Sequence, residues 1–267
     1  MRLFVDTFVA PLLRKRWSRV CEIGASLGES TDVLASVGDV AVTVIDPCLD
    51  CDLEKKYANN HRVTILKGTS LEMLPKLQDV FDCILIDGDH NWYTVYHELQ
   101  MISERNLLNV GGIVFFHDVE WPWGRRDMYY RSELVPSEYV HPAARKGVVL
   151  GQSELTDAGG SYPALLKAAY EGGVRNGVLT AIEDFLREHR EVYRFFRVHD
   201  HYGLGIMYRR NSLADDFLFL SLVCKGTAFN IITWPRWFTK THFPSTFRMA
   251  RKLLTTRRIN RTLGSHG

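Results

Sequence analysis

Two short runs of this 267-residue chain carry side chains with chemistry to offer. "LIDGDHNWYTVYHEL" (85–99) sets Asp87, Asp89 and His90 directly after an apolar run, and "FFHDV" ends another apolar run on His117 and Asp118. Carboxylates and imidazoles both hold divalent ions and move protons. The first run therefore reads as a polar turn, a metal site or an acid–base pair. Asp89 also suits the N-cap of a helix starting near Asn91, a position Asp favours. His97 and Glu98 fall inside that predicted helix and read as surface or packing residues. His117 reads either as a ligand or as a group that orients one. Asp87 and Asp118 each close an apolar run, and both are expected to contact metal or substrate.

The surrounding pattern must position these groups. "RVCEIGA", "AVTVIDP", "RVTILKG", "FDCILIDGDH" and "IVFFHDV" are β-rich runs that end in polar or Gly residues. Helical patterns, "GESTDVLASVG", "SLEMLPKLQ" and "NWYTVYHELQMISERNLL", lie between them. Such β–α alternation predicts an α/β fold with a doubly wound parallel sheet. Ligands of such sheets bind beyond the carboxyl ends of the strands. Glu22, Asp46, Ser70, Asp87, Asp89, His90, His117 and Asp118 should therefore share one rim. Further on, "VLTAIEDFLREHREV" predicts a helix, and "YRFFRVHDHYGLGIMYRR" predicts two strands turning at 200–203.

"CEIGASLGES" follows the first strand and opens a helix. Gly24 and Gly28 permit a tight turn and close approach of backbone to a ligand, with helix-start N–H groups facing it. Asp46 closes the next strand, where a carboxylate can bind ribose hydroxyls. Ser26 stands where the dinucleotide G-x-G-x-x-G pattern has its middle Gly, so no pyrophosphate need be accommodated. A plain strand-to-helix turn is the alternative reading of the loop.

On these residues the chain resembles the class I S-adenosylmethionine-dependent methyltransferases over residues 17–120, with the strands of 193–209 matching the family's antiparallel last pair. The resemblance implies a Rossmann-like methyltransferase sheet with an inserted lid and a C-terminal helical tail. It implies that the E-x-G-x-x-x-G loop (Glu22, Gly24, Ala25, Ser26, Gly28, Ser30) and Asp87 hold the cofactor. Asp46 would take its ribose, and Ser70 of "GTS" would flank its adenine. Within the superfamily the chain is most similar to metal-dependent O-methyltransferases that tailor sugars of the macrocin, mycinamicin and aminocoumarin type; cephalosporin-hydroxylase-like proteins share the pattern. That likeness implies a magnesium ion on Asp87 and Asp118, with His90 or Asp89 as the base. His117 stands where relatives often carry a second carboxylate. It joins the candidate ligands and leaves room for manganese or another transition metal. A divalent ion would bind the acceptor oxygen and lower its pKa.

"EWPWGRRDMYYRSELVPSEYVHP" follows Asp118 directly, and residues 121–170 are irregular and rich in Trp, Tyr, Pro and Gly. Long aperiodic segments in compact domains are usually functional or mobile. Trp121, Trp123, Arg125, Arg126, Tyr129 and Tyr130 suit a sugar, whose C–H face stacks on rings while its hydroxyls hydrogen-bond. The Arg pair suits a phosphate or carboxylate equally well, and an insertion that packs its own aromatics is the alternative reading. Residues 1–210 are read as the methyltransferase domain with a lid at about 121–170, and 211–267 as a basic appendage. The first 210 residues carry 24 Lys/Arg against 29 Asp/Glu, whereas 211–267 carry nine against two. Such a tail suits an anionic membrane surface or another polyanion, or a packing helix with a solvated basic face.

Overall composition, 46% hydrophobic and 24% charged, is that of a soluble globular protein. The N-terminus has no signal-peptide pattern, Pro11 is expected to break its short apolar run, and no run reaches the ~18 residues of a membrane span. Cys21 and Cys83 within predicted strands point to a reducing, cytoplasmic compartment; Cys48 and Cys51 form a lone C-x-x-C best read as a loop. The leading expectation is a metal-dependent O-methyltransferase acting on a sugar hydroxyl, with homo-oligomerisation open. Alternatives are a methyltransferase for a non-sugar small molecule, a non-haem iron oxygenase using His90, His117 and Asp118, and a non-catalytic cofactor-binding scaffold. Nucleic acid is an unfavoured partner, because the rim is lined with carboxylates.

Overall fold

The structure, a computed structural model, describes residues 1–14, 17–48, 51–199, 202–210, 219–226 and 228. Five parallel strands form its centre: β1 (Arg19–Ile23), β2 (Ala41–Asp46), β3 (Val63–Lys67), β4 (Phe81–Ile86) and β5 (Leu108–His117). β9 (Tyr193–Val198) and β10 (Leu204–Arg209) complete a seven-stranded sheet in the order β3-β2-β1-β4-β5-β10-β9, with β10 antiparallel to both neighbours. Val, Ile and Leu runs suit strands covered on both faces, and Val20, Val44, Ile84, Leu85, Val114 and Phe115 are fully buried. Reversal of strand order between β1 and β4 puts the ligand crevice at their carboxyl ends, as the doubly wound reading requires.

Helices cover both faces. One face carries the N-terminal segment, α3 (Glu29–Ala35), α4 (Leu53–Tyr57) and the helical residues 219–226, whose Leu222 is buried in that layer. The other carries α5 (Ser70–Met73), α6 (Trp92–Glu104) and α7 (Val178–His189). The N-terminal segment does not break at Pro11. It runs as α1 (Arg2–Phe4), a π-helical turn (Val5–Val9) and α2 (Ala10–Leu13). Pro11 falls in the first turn of α2, where its missing N–H costs little.

Residues 121–177 are more ordered than their composition implies. Within them β6 (Met128–Tyr129), β8 (Leu166–Ala168) and β7 (Ala143–Ala144) form a small sheet in that order. Asp127 ties this insertion to the domain: its carboxylate accepts from Trp92 N and Gly177 N, both at 2.7 Å, and from the Tyr129 hydroxyl. One end of the insertion is thus fixed to the first residue of α6. The 200–203 turn has Tyr202 and Gly203 placed, while Asp200 and His201 lie outside the described residues, as does most of the basic segment 211–267. No helix among the described residues is long and apolar enough to cross a membrane.

Candidate active site

Parallel pairing brings the ends of β1, β4 and β5 side by side, with Ile23 beside Ile86 and Ile86 beside Phe116. Gly24 and Asp87, just past the ends of β1 and β4, therefore meet His117, the last residue of β5. Gly24 is held at φ +82°, and a Cβ there would stand 2.3 Å from the Asp87 carbonyl oxygen. Only Gly allows the β1 loop to approach the β4 loop so closely. Gly28, at φ +77°, caps α3, and the Tyr57 hydroxyl bonds its carbonyl from α4 at 2.9 Å.

Asp87, His90, His117 and Asp118 converge, with one ligand atom of each lying within 4.8 Å of the others. The two histidines face one carboxylate oxygen: His90 Nε2 and His117 Nδ1 are each 2.7 Å from Asp118 Oδ2. His117 Nδ1 is also 3.1 Å from Asp87 Oδ1, and His90 Nε2 3.8 Å from it. Asp118 adopts a left-handed backbone, φ +61°, which is uncommon outside Gly and tolerated best by Asn and Asp. Burial opposes charge on both histidines, yet the neighbouring carboxylates outweigh it. His90 is raised, with Asp118 the chief cause, and His117 is lifted to about 10 by Asp87 and Asp118. Burial likewise opposes ionisation of Asp118, but His117 and His90 hold its carboxyl well below the usual range. The carboxylates thus draw both imidazoles toward the charged form, and the same negative field suits a cation. Ligand atoms around a small octahedral ion at 2.0–2.1 Å stand roughly 3 Å apart at adjacent positions and about 4 Å at opposite ones. The separations in this cluster, and its mix of nitrogen and carboxylate donors, fit a divalent ion.

The cluster lies in a cavity of about 370 Å³, walled by the loop from Gly24 to Ser30, the N-terminal Met1 and Arg2, and the insertion. Its aromatic surfaces are Trp123, Tyr130, Tyr162 and Tyr202. The Met1 amine is 3.7 Å from Asp87 Oδ2. Tyr162 of the insertion and Tyr202 of the β9–β10 turn hydrogen-bond through their hydroxyls. Neither Tyr162 nor Tyr202 stood out in the sequence. Their one signal was a ring beside turn residues, in "GGSYP" and "DHYG".

Other candidates sit differently. Asp89 does not reach the cluster: its carboxylate accepts from the His90 amide at 3.1 Å and stands 3.5 Å from the Thr94 hydroxyl. Asn91, not Asp89, is the N-cap of α6, accepting from Thr94 N. Glu22 is buried beneath the loop, bonded by the Thr31 hydroxyl; burial pushes it up to about 8. Asp46 accepts from the amides of Ala25, Ser26 and Cys48, so it shapes the glycine loop, and those amides turn inward. Ser70 is the first residue of α5, buried beside Glu98. Glu98, read as a surface or packing residue, is wholly buried.

The insertion divides its candidates. Trp123 and Tyr130 line the cavity, and Trp121 is half-buried outside it. The Arg pair is taken up by the protein itself. Arg125 makes a two-pronged bond to Glu183 of α7, beside a separate cavity of about 660 Å³ between α6 and α7. Arg126 is 1% exposed and donates to the carbonyls of Ala168 and Ser153. Tyr129 bonds Asp127 and takes the His141 amide. These three hold the insertion together and do not face the cluster. Cys48 and Cys51 are free thiols and belong to no metal-ligand cluster among the described residues.

A sheet of this order, with a glycine loop after β1 and acids closing β2, β4 and β5, is the class I methyltransferase architecture. Residues 21–119, which run from within β1 to just past the end of β5, match the family model described as a methyltransferase domain. Among solved structures it is similar to the SAH-bound methyltransferase PaMTH1 from Podospora anserina, 16% identical over 76% of this chain and 77% of that one, TM-score 0.48. It is also similar to the O-methyltransferase TomG from Streptomyces achromogenes in complex with SAM, 15% identical over 77% and 79%, TM-score 0.46. An O-methyltransferase from Bacillus cereus in complex with SAH is 15% identical over 76% and 80%, TM-score 0.45. No curated protein sequence matches the chain.

Proposed function

We propose that the protein is an S-adenosylmethionine-dependent O-methyltransferase that uses a divalent ion, magnesium or manganese, to activate a sugar hydroxyl of a glycan or glycosylated metabolite. The observation that carries this reading is the placing of the Asp87–His90–His117–Asp118 cluster in one cavity with the Gly24–Ser30 loop. Asp87, His117 and Asp118 would hold the ion, which when bound supplies a Lewis acid that lowers the pKa of an oxygen ligand. Of the two residues read as bases, His90 reaches the cluster and is at hand for the acceptor's proton, a transfer worth roughly 10²–10⁴ in rate. The loop from Gly24 to Ser30 orients the methyl donor, and Asp46 keeps that loop in shape while offering its remaining lone pairs to ribose. Trp123, Tyr130, Tyr162 and Tyr202 give the acceptor apolar rings to pack on and hydroxyls to bond, which suits a sugar.

A two-histidine, one-carboxylate oxygenase would use His90, His117 and Asp118, which do converge. It leaves the glycine loop without a task, so methyl transfer is the better reading. Contact of the basic 211–267 segment with a membrane surface or polyanion, and assembly with a second copy, belong to the same proposal, with no nucleic acid partner. The test is calorimetry with S-adenosylmethionine, then a screen of sugars and glycosides with methyl-labelled cofactor, with and without added Mg²⁺ or Mn²⁺. Cofactor binding with label transferred only when a divalent ion is present supports the reading. Absence of cofactor binding overturns it, and full transfer after chelation removes its metal half.

A further inference from the structure

We infer that His90 and His117 are both metal ligands, and that the resulting two-nitrogen, two-carboxylate site selects a divalent first-row transition ion, with Mn²⁺ as its probe, over Mg²⁺. This rests on the metal half of the proposed function and changes one role in it, moving His90 from proton acceptor into the ligand shell.

The histidines are equivalent in their geometry. His90 arrives on the loop after β4 and His117 at the end of β5, yet each presents a ring nitrogen 2.7 Å from Asp118 Oδ2. A base acting on the acceptor should face outward from the ligand set, toward open cavity. His90 instead points its Nε2 at the cluster's centre, with Asp118 and Asp87 both in reach. Each imidazole is also held in place by rings. Tyr130 packs edge-on to His90 with centroids 6.0 Å apart, while Phe4 and Tyr202 flank His117 at 5.8 and 5.6 Å. Such packing fixes the direction of a ligand lone pair, which a proton shuttle does not require.

Ion preference follows from donor chemistry. Magnesium favours oxygen donors, demands a near-ideal octahedron and gives up water reluctantly. Imidazole nitrogen suits first-row transition ions, whose affinity for mixed nitrogen and oxygen sites rises along the series from Mn²⁺. The four side chains are between 6% and 21% exposed, so an ion there must surrender much of its water. That cost falls hardest on magnesium. An all-carboxylate version of the site would reverse the preference, and His117 is where this chain departs from that pattern.

The experiment strips the full-length protein with a chelator, dialyses it against equimolar Mn²⁺ and Mg²⁺, and measures bound metal by mass spectrometry. The same is done for His90→Ala and His117→Ala, with cofactor affinity measured in parallel by calorimetry. The expected result is roughly tenfold or greater retention of Mn²⁺ over Mg²⁺, with the preference falling sharply in each variant while cofactor affinity persists. Substituting Co²⁺ into the unaltered protein reads nitrogen coordination from its visible bands, whether or not the variants fold. Equal retention of the two ions overturns the inference and leaves the metal-dependent reading standing. A His90→Ala protein that keeps its manganese undiminished overturns it too, by returning His90 to the role of base. Failure to bind either ion overturns both metal claims, while cofactor binding measured alongside keeps the methyltransferase assignment separate.

Discussion

Glu98 offers a sharp test of how α6 is packed. Its side chain is wholly buried, and neither carboxylate oxygen makes a hydrogen bond of normal geometry, although Ser70 lies nearby. Burial pushes the carboxyl from 4.5 to about 8, with Ser70 opposing and Asp89 adding to the rise. The folded state therefore keeps this proton at pH values where the unfolded chain has lost it. Between pH 4.5 and 8 the folded state binds more protons, so the contribution to stability is fully present below 4.5 and is lost as pH rises through about 8. At 1.36 kcal/mol per unit the full change is about 4–5 kcal/mol, and the part falling between pH 6 and pH 9 is about 2–3 kcal/mol. Glu98→Gln keeps the shape and removes the titration. Urea unfolding followed by tryptophan fluorescence should find the Gln variant ahead by about 2 kcal/mol at pH 6, the part of the change already complete there. At pH 9 the Gln variant should be more stable by about 2–3 kcal/mol beyond any pH 6 offset. Glu22, raised to about 8 by the same cause, is present in both proteins and cancels. Parallel pH dependence in the two proteins would refute the burial of an ionisable Glu98.

Two further substitutions probe the scaffold. Gly24→Ala places a Cβ 2.3 Å from the Asp87 carbonyl at a φ of +82°, so calorimetry should show cofactor affinity down at least about tenfold, from strain of roughly 1–3 kcal/mol; unchanged affinity would dismiss the close approach of the two loops. Asp127→Ala leaves Trp92 N, Gly177 N and the Tyr129 hydroxyl without their shared acceptor, and thermal unfolding should report a loss of about 3–5 kcal/mol, with protease cutting first inside 121–177.

What was legible in the sequence, and what was not, divides by the range of the interaction. Strands β1 to β5 and the rim residues could be read because each signal is local. A buried parallel strand is a continuous apolar run, and the polar residue that ends it must stand at the sheet's edge. Asp87, His117 and Asp118 needed nothing more, since the order of the sheet follows from β–α alternation. The insertion resisted reading for the opposite reason. Arg125 and Arg126 looked like anion-binding forks because nothing nearby in the chain pairs with them. Their partners are Thr180 and Glu183, 55 and 58 residues on, and the carbonyls of Ala168 and Ser153, 42 and 27 residues on. Tyr162 and Tyr202 meet across 40 residues, so neither could be seen as part of the site. Asp46 stands where expected, but its carboxylate is occupied by loop amides 20 and 21 residues back. Glu98 is ambiguous in the sequence, between surface and packing, for a different reason. Charge on a helix normally marks its solvated face, but α6 lies between the sheet, α5 and α7, and has little such face at that turn. A buried carboxylate without a partner is costly to any fold. Glu98 has Ser70 beside it and feels the charges of Asp89 and His90, so the polar groups of this site reach below the rim and into the core beneath it.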